Sequence, residues 1–195
     1  MKQFALNLGY FLFSLMGSIV LIHELALPTL VNYPRLNHMI KRFAYTEQVL
    51  TFFLFLSIWL FLIQWQLEKF SVIYLYLVYA IYLFLLFVVL FAKAKRYHAY
   101  FFDPFDFLIW EKRVIVEAIL NVLYLIPLGG LYGLKAKNWE FVVIALTTIL
   151  GIETLQYVFY VGTFAISDIL LNFIGCTIGY IFARFVLLKT KKTIS

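Results

Sequence analysis

Charge is scarce in this chain. Only 13% of its 195 residues are Asp, Glu, Lys or Arg, against 65% hydrophobic, and mean hydropathy is +0.95. Soluble domains run nearer a quarter charged and about half apolar. A chain this apolar cannot cover its surface with polar groups in water, so the bilayer is its expected solvent. Cysteine is nearly absent. The single Cys176 excludes an intrachain disulfide and leaves the redox compartment undetermined. The three histidines, His23, His38 and His98, are scattered, fall outside the apolar runs and make no metal-ligand spacing. There is no phosphate-binding glycine loop, no nucleophile–base pair, no internal repeat and no low-complexity linker. No cofactor or metal is therefore expected, and residues 1–195 read as one transmembrane domain. The net charge of +6 would suit nucleic acid, but the basic residues sit in loops between apolar runs. That placement fits anionic lipid headgroups instead.

A membrane-spanning helix needs about 20 predominantly apolar residues. Six stretches qualify, giving an all-α polytopic bundle. Span one covers Phe4 to Ile22. It has only Lys2 before it and lacks a clear small-x-small cleavage site before His23-Glu24, so it is kept as a helix and not as a signal peptide. A polar loop from Glu24 to Gln48 follows. Span two, Val49 to Leu67, and span three, Val72 to Ala92, are joined by the tight turn Glu68-Lys69 as an antiparallel hairpin. Tyr74, Tyr76, Tyr79 and Tyr82 suggest lipid-facing or interfacial packing for span three. Lys93 to Arg113 is basic at its ends and aromatic in the middle. It suits the headgroup level, and Pro104 rules out one continuous helix there. Span four, Val114 to Leu134, carries Pro127, Gly129 and Gly130, which predict a kink or an early end. Span five, Phe141 to Val161, turns through Gly162 to Ala165 into span six, Ile166 to Leu188.

Six spans put both termini on one side. Excess Lys and Arg usually marks the cytoplasm. The terminus side carries Lys2, Lys69, Lys135, Lys137, Arg184, Lys189, Lys191 and Lys192; the other carries Arg35, Lys41, Arg42, Lys93, Lys95, Arg96, Lys112 and Arg113. The count is a tie. The terminus-side charges lie in shorter segments close to helix ends, which favours cytoplasmic termini.

Polar residues inside the apolar runs are few and patterned. Glu153 and Gln156 are i,i+3 on span five. Asp168 and Asn172 are i,i+4 on span six, and Glu117 and Asn121 are i,i+4 on span four, so each pair shares a helix face. Antiparallel packing brings all six to one depth, near the face opposite the termini. Singly, an intramembrane Asn or Gln is commonly a hydrogen bond between helices, worth about 0.6–2 kcal/mol. Glu117 can reach the interface, and Asp168 suits the helix N-terminus. Together they point to a polar cavity, since ionisable groups in spans usually face a protein interior or water. The candidate binding residues are Asn121, Glu153, Gln156, Asp168 and Asn172, with Glu117 the weakest member. Gly175-x-x-x-Gly179, with Cys176, is a small-residue face for close helix contact.

These motifs resemble a known family. ETLQ at Glu153 to Gln156, then SDILLNFIGCTIGY at Ser167 to Tyr180, is similar to the C-terminal signature of VanZ-like membrane proteins. NVLYLIPLGGL at Asn121 to Leu131 resembles that family's preceding span, and Pro104-Phe105 resembles the end of its Asn-Leu-x-Pro-Phe motif. The resemblance covers residues 96–184. Two positions depart from it: Thr163 stands where relatives often have Arg, five residues before Asp168, and Phe101 replaces the upstream Asn. The resemblance implies a small bacterial cell-membrane protein. The founding member is associated with resistance to the glycopeptide teicoplanin.

Three functions compete. The first is a non-enzymatic envelope protein whose polar pocket binds a lipid-linked or amphiphilic molecule. The second is an intramembrane hydrolase or transferase using Glu153 and Asp168 as an acid/base pair. The third is a proton-coupled transporter, for which inverted repeats or paired broken helices are expected. The first fits the pattern best. Membrane lipids and a lipid-linked envelope precursor are the expected partners, and nucleic acid is not.

Overall fold

The computed structural model describes residues 2–31, 33–92 and 99–189. Lys93, Lys95, Arg96 and His98 of the aromatic loop, and Lys191 and Lys192 of the tail, lie outside the described residues. Among the described residues six helices are long and apolar enough to cross a membrane. The chain is an all-α polytopic bundle.

The first helix, α1 (Lys2–Ile19), does not end near Ile22. It continues through a π-helical segment, Val20–Ala26, into α2 (Leu27–Val31). Glu24 to Gln48 is thus largely helical and not a loop, and His23 lies within the first span. The imidazole is tolerated there because its Nε2 lies 3.5 Å from Thr51 Oγ1 on the neighbouring helix. After Tyr33, α3 (Pro34–Arg42) opens on a proline, whose missing N–H is harmless in a first turn. Leu36 of α3 is buried while His38, Lys41 and Arg42 are exposed. Such a short amphipathic helix suits the membrane surface.

Next come α4 (Thr46–Gln66) and α5 (Val72–Ala92). Glu68 takes a left-handed φ of 52° in the turn between them, and Gln64 Oε1 accepts the Ser71 N–H at 2.6 Å. The two helices touch near this turn, where the Tyr74 hydroxyl donates to the Ser57 carbonyl at 2.6 Å. Beyond it α4 packs mainly on α1 and α5 on α6 and α7. Ser14 and Ser18 of α1 are fully buried, and small residues permit that approach. Phe11 fills the seam edge-on against Phe55 and Trp59, with ring centroids 5.2 and 5.6 Å away. The tyrosines of α5 correct the lipid-facing expectation. Tyr82 points inward and donates to the Tyr124 carbonyl at 2.6 Å, and only Tyr76 is largely exposed.

The C-terminal half is the tighter one: α6 (Lys112–Gly133), α7 (Asn138–Val158) and α8 (Ile166–Lys189). No early end occurs at Pro127; α6 runs through it to Gly133. Neighbouring side chains commonly re-satisfy backbone groups around a membrane proline, and Tyr82 supplies a donor one turn before it. The glycines of this stretch serve contact. A Cβ on Gly129 would overlap the Cys176 backbone, one on Gly175 the Val122 backbone, and one on Gly179 the Ile126 backbone. Contacts advance together along both chains, so α6 and α8 are parallel and touch backbone to backbone. Leu86, Leu125, Leu128, Phe141, Ala145, Ile149, Cys176 and Tyr180 form the core around this contact. Tyr180 stacks on Phe141 at 4.2 Å and donates to Asn138 Oδ1 at 2.8 Å.

Two short strands were not expected. In the aromatic loop, β1 (Tyr100–Phe101) pairs in parallel with β2 (Phe164–Ala165) of the α7–α8 turn. This pair ties the loop over the end of the C-terminal bundle. The loop exposes Tyr100, Phe102, Phe105 and Trp110, the last at 96%. Such an aromatic surface suits the headgroup region.

Candidate functional site

The polar residues of the three C-terminal spans meet in pairs. Asn121, two and a half turns into α6, donates from Nδ2 to Asp168 Oδ1 in the first turn of α8, at 2.7 Å. The close α6–α8 contact makes this reach possible, because Gly175 lies one turn beyond Asn172 against Val122. Asn172 donates from Nδ2 to Glu153 Oε1 on α7 at 3.4 Å. Both residues are buried, Glu153 at 2% exposure, and Ser167, next to Asp168 in sequence, is buried too. A buried carboxylate requires hydrogen-bond partners, since burying an unpaired charge is strongly unfavourable. Asn121 and Asp168 are only half-buried, so that pair is the more open of the two.

Gln156 does something else. Its Nε2 donates to the Leu90 carbonyl of α5 at 2.8 Å. The last four carbonyls of a helix lack partners within it, and Gln156 satisfies one of them. The turn after it is also built differently from expectation. The Tyr160 N–H bonds the Tyr157 carbonyl and the Val161 N–H bonds the Gln156 carbonyl at 2.9 Å. This is a Schellman ending, and Tyr160, with φ 56°, holds its left-handed position. Gly162 supplies space instead of φ: a Cβ there would stand 3.1 Å from Gln156 Cβ.

Glu117 belongs to the same region more firmly than its position near a span end suggested. Its Oε1 accepts a hydrogen bond from the Tyr33 hydroxyl at 3.0 Å. Tyr33 carried no signal in the sequence, because its partner is 84 residues away. Glu117 and Asn121 line a small pocket with Leu30, Tyr33, Leu36, Val89, Leu120 and Tyr124, of about 10 Å³. That is near the lower limit for one water molecule. Asp103, in the aromatic loop, instead accepts the Phe105 N–H of its own turn at 2.9 Å.

Fold and cluster together define a multi-pass α-helical membrane protein with hydrogen-bonded polar side chains inside its C-terminal bundle. The chain belongs to the VanZ/LLP1 family, whose model matches residues 10–188. The match takes in the front half of the chain, where no motif was readable. No curated protein and no solved structure matches it.

Proposed function

We propose that this VanZ-family protein is a non-enzymatic cell-membrane protein that binds a lipid-linked or amphiphilic envelope molecule at the polar cluster of α6, α7 and α8. The observation that carries the reading is the half-buried Asn121–Asp168 pair, beside the Glu117–Tyr33 bond. A few placed polar groups in apolar surroundings are the usual form of a small-molecule site. In this reading Asn121 and Asp168 meet the ligand, Glu153 and Asn172 brace the helices behind them, and Gln156 fixes α7 against α5. The cluster faces the outside and both termini the cytoplasm. The short basic segments at the terminus-side helix ends support that orientation. A contribution to teicoplanin resistance is part of this proposal on the resemblance to the founding member alone, and nothing in the geometry bears on it.

Substituting Asn121 and Asp168 together by Ala, which removes both partners of one hydrogen bond, should abolish ligand binding and any resistance phenotype at unchanged membrane abundance. Lost abundance would instead make the cluster a packing device. Turnover of a lipid-linked sugar by the purified protein, lost in Asp168→Asn, would favour the hydrolase or transferase. Orientation is read independently: Thr163→Cys should react with a membrane-impermeant thiol reagent added outside intact cells.

A further inference from the structure

The aromatic loop presents an apolar surface that no described residue covers. Tyr100, Phe102, Phe105, Leu108 and Ile109 are each more than half exposed, and Trp110 touches almost nothing of the chain. Contiguous exposed apolar patches mark contact with a partner or a membrane. The inner side of the loop, by contrast, is tied down. The Phe164 N–H donates to the Ala99 carbonyl at 3.0 Å. Phe101 stands in register with Ala165, which is buried three residues before Asp168. At the other arm the short 3-10 helix Asp106–Leu108 packs on the start of α6. The loop thus bridges the N-terminal ends of α6 and α8, the two helices that carry Asn121 and Asp168.

We propose that residues 99–111 are seated in the interfacial layer of the phospholipid bilayer and act as a clasp, holding these two helix ends together beside the Asn121–Asp168 pair. Position decides in favour of a lipid surface. The parallel helices α6 and α8 both begin here, so the loop lies at the level where the spans leave the hydrocarbon. The helix that follows carries exposed Ile115 and Ile119 one turn apart, so apolar surface runs from the loop onto the span. Trp and Tyr favour this layer, where the ring is apolar and its N–H or O–H is wet. By sequence, residues 93–113 carry five basic residues, Lys93, Lys95, Arg96, Lys112 and Arg113, against three acidic ones, Asp103, Asp106 and Glu111. That balance suits lipid phosphate at the polar rim of the loop. A clasp needs no ligand in the polar cluster, so it stands whether or not that cluster binds one.

The test uses the full chain in vesicles of phosphatidylcholine and phosphatidylglycerol, with Trp59, Trp65 and Trp139 replaced by Phe so that Trp110 alone reports. Acyl chains carry bromine either near the headgroup or near the chain end. Trp110 fluorescence should be quenched more strongly by the bromines near the headgroup and be shielded from acrylamide in the water. If the triple replacement fails to fold, the difference between wild type and Trp110→Phe gives the same reading. Quenching by acrylamide and not by bromine puts the loop in water and overturns the proposal. Shielding from both means that protein covers the patch, which overturns it equally. The clasp itself is read by hydrogen exchange across residues 160–168 in the same vesicles. Trp110→Ser should speed exchange there by about tenfold, and Trp110→Tyr, which keeps an interfacial ring, should not. Trp110 has almost no contact within the chain, so lost internal packing cannot produce that difference. Unchanged exchange in Trp110→Ser overturns the clasp even where the loop is inserted.

Discussion

Gln156 shows how one polar side chain in a membrane helix acquires a structural duty. Its bond to the Leu90 carbonyl satisfies one of the acceptors that the end of α5 leaves open. Gln156→Ala strands that acceptor and should cost about 1–3 kcal/mol, measured as a lower unfolding temperature in detergent. Tyr160 is the converse case, a bulky residue in a conformation that favours glycine. Tyr160→Gly should raise stability by about 1 kcal/mol, because L-residues are disfavoured there by roughly 1–2 kcal/mol. An unchanged or lower unfolding temperature would show that the half-exposed ring contributes packing of its own. Spacing alone was enough to pair Asp168 with Asn172 on one face and Glu153 with Gln156 on another. It could not say that Asn121 would bond Asp168 while Gln156 turned away to α5. Those choices depend on which helices touch, and a one-dimensional pattern does not carry that information.

Among the elements, the α6–α8 contact dominates. Gly129, Gly175 and Gly179 lie where a methyl group would meet the facing backbone. Replacing any of them by Ala should cost about 1–3 kcal/mol or more as the helices are forced apart. Gly17→Ala and Gly151→Ala, with nothing within 4 Å of an added Cβ, should be neutral or stabilising by about 0.5–1 kcal/mol. Chemical denaturation of the set in one detergent separates the two groups. Small-xxx-small spacing made the α8 half of this contact legible. Its α6 half was hidden by Pro127, since Pro-Leu-Gly-Gly reads as punctuation in a soluble chain. In the bilayer Tyr82 and the neighbouring helices support that segment, so it stays helical. Glu24 to Gln48 misled in the same way: Pro28, Pro34 and the charged residues resemble a loop, yet a π-helical segment carries the first span onward and Pro34–Arg42 forms the short amphipathic helix α3.

Across the whole molecule the hydropathy runs made six spans and the hairpin of α7 and α8 readable, because bilayer thickness fixes helix length. The division into a tight C-terminal bundle and a looser α1–α4 pair was not readable. Nearly uniform apolar sequence on α4 and α5 does not reveal which face meets protein and which meets lipid. That division leaves an apolar space beside the small pocket lined by Glu117 and Asn121, a placement that the assembled helices define and no single motif does. The central claim is that the Asn121–Asp168 pair contacts a bound amphiphile. It is tested most directly by mass spectrometry of lipids retained after purification in mild detergent, comparing wild type with the Asn121→Ala, Asp168→Ala double variant. Removing both partners of one hydrogen bond avoids stranding either, so the fold should survive. Wild type should retain a specific amphiphile that the double variant loses at equal abundance and unfolding temperature. The same lipid complement in both proteins would contradict the claim.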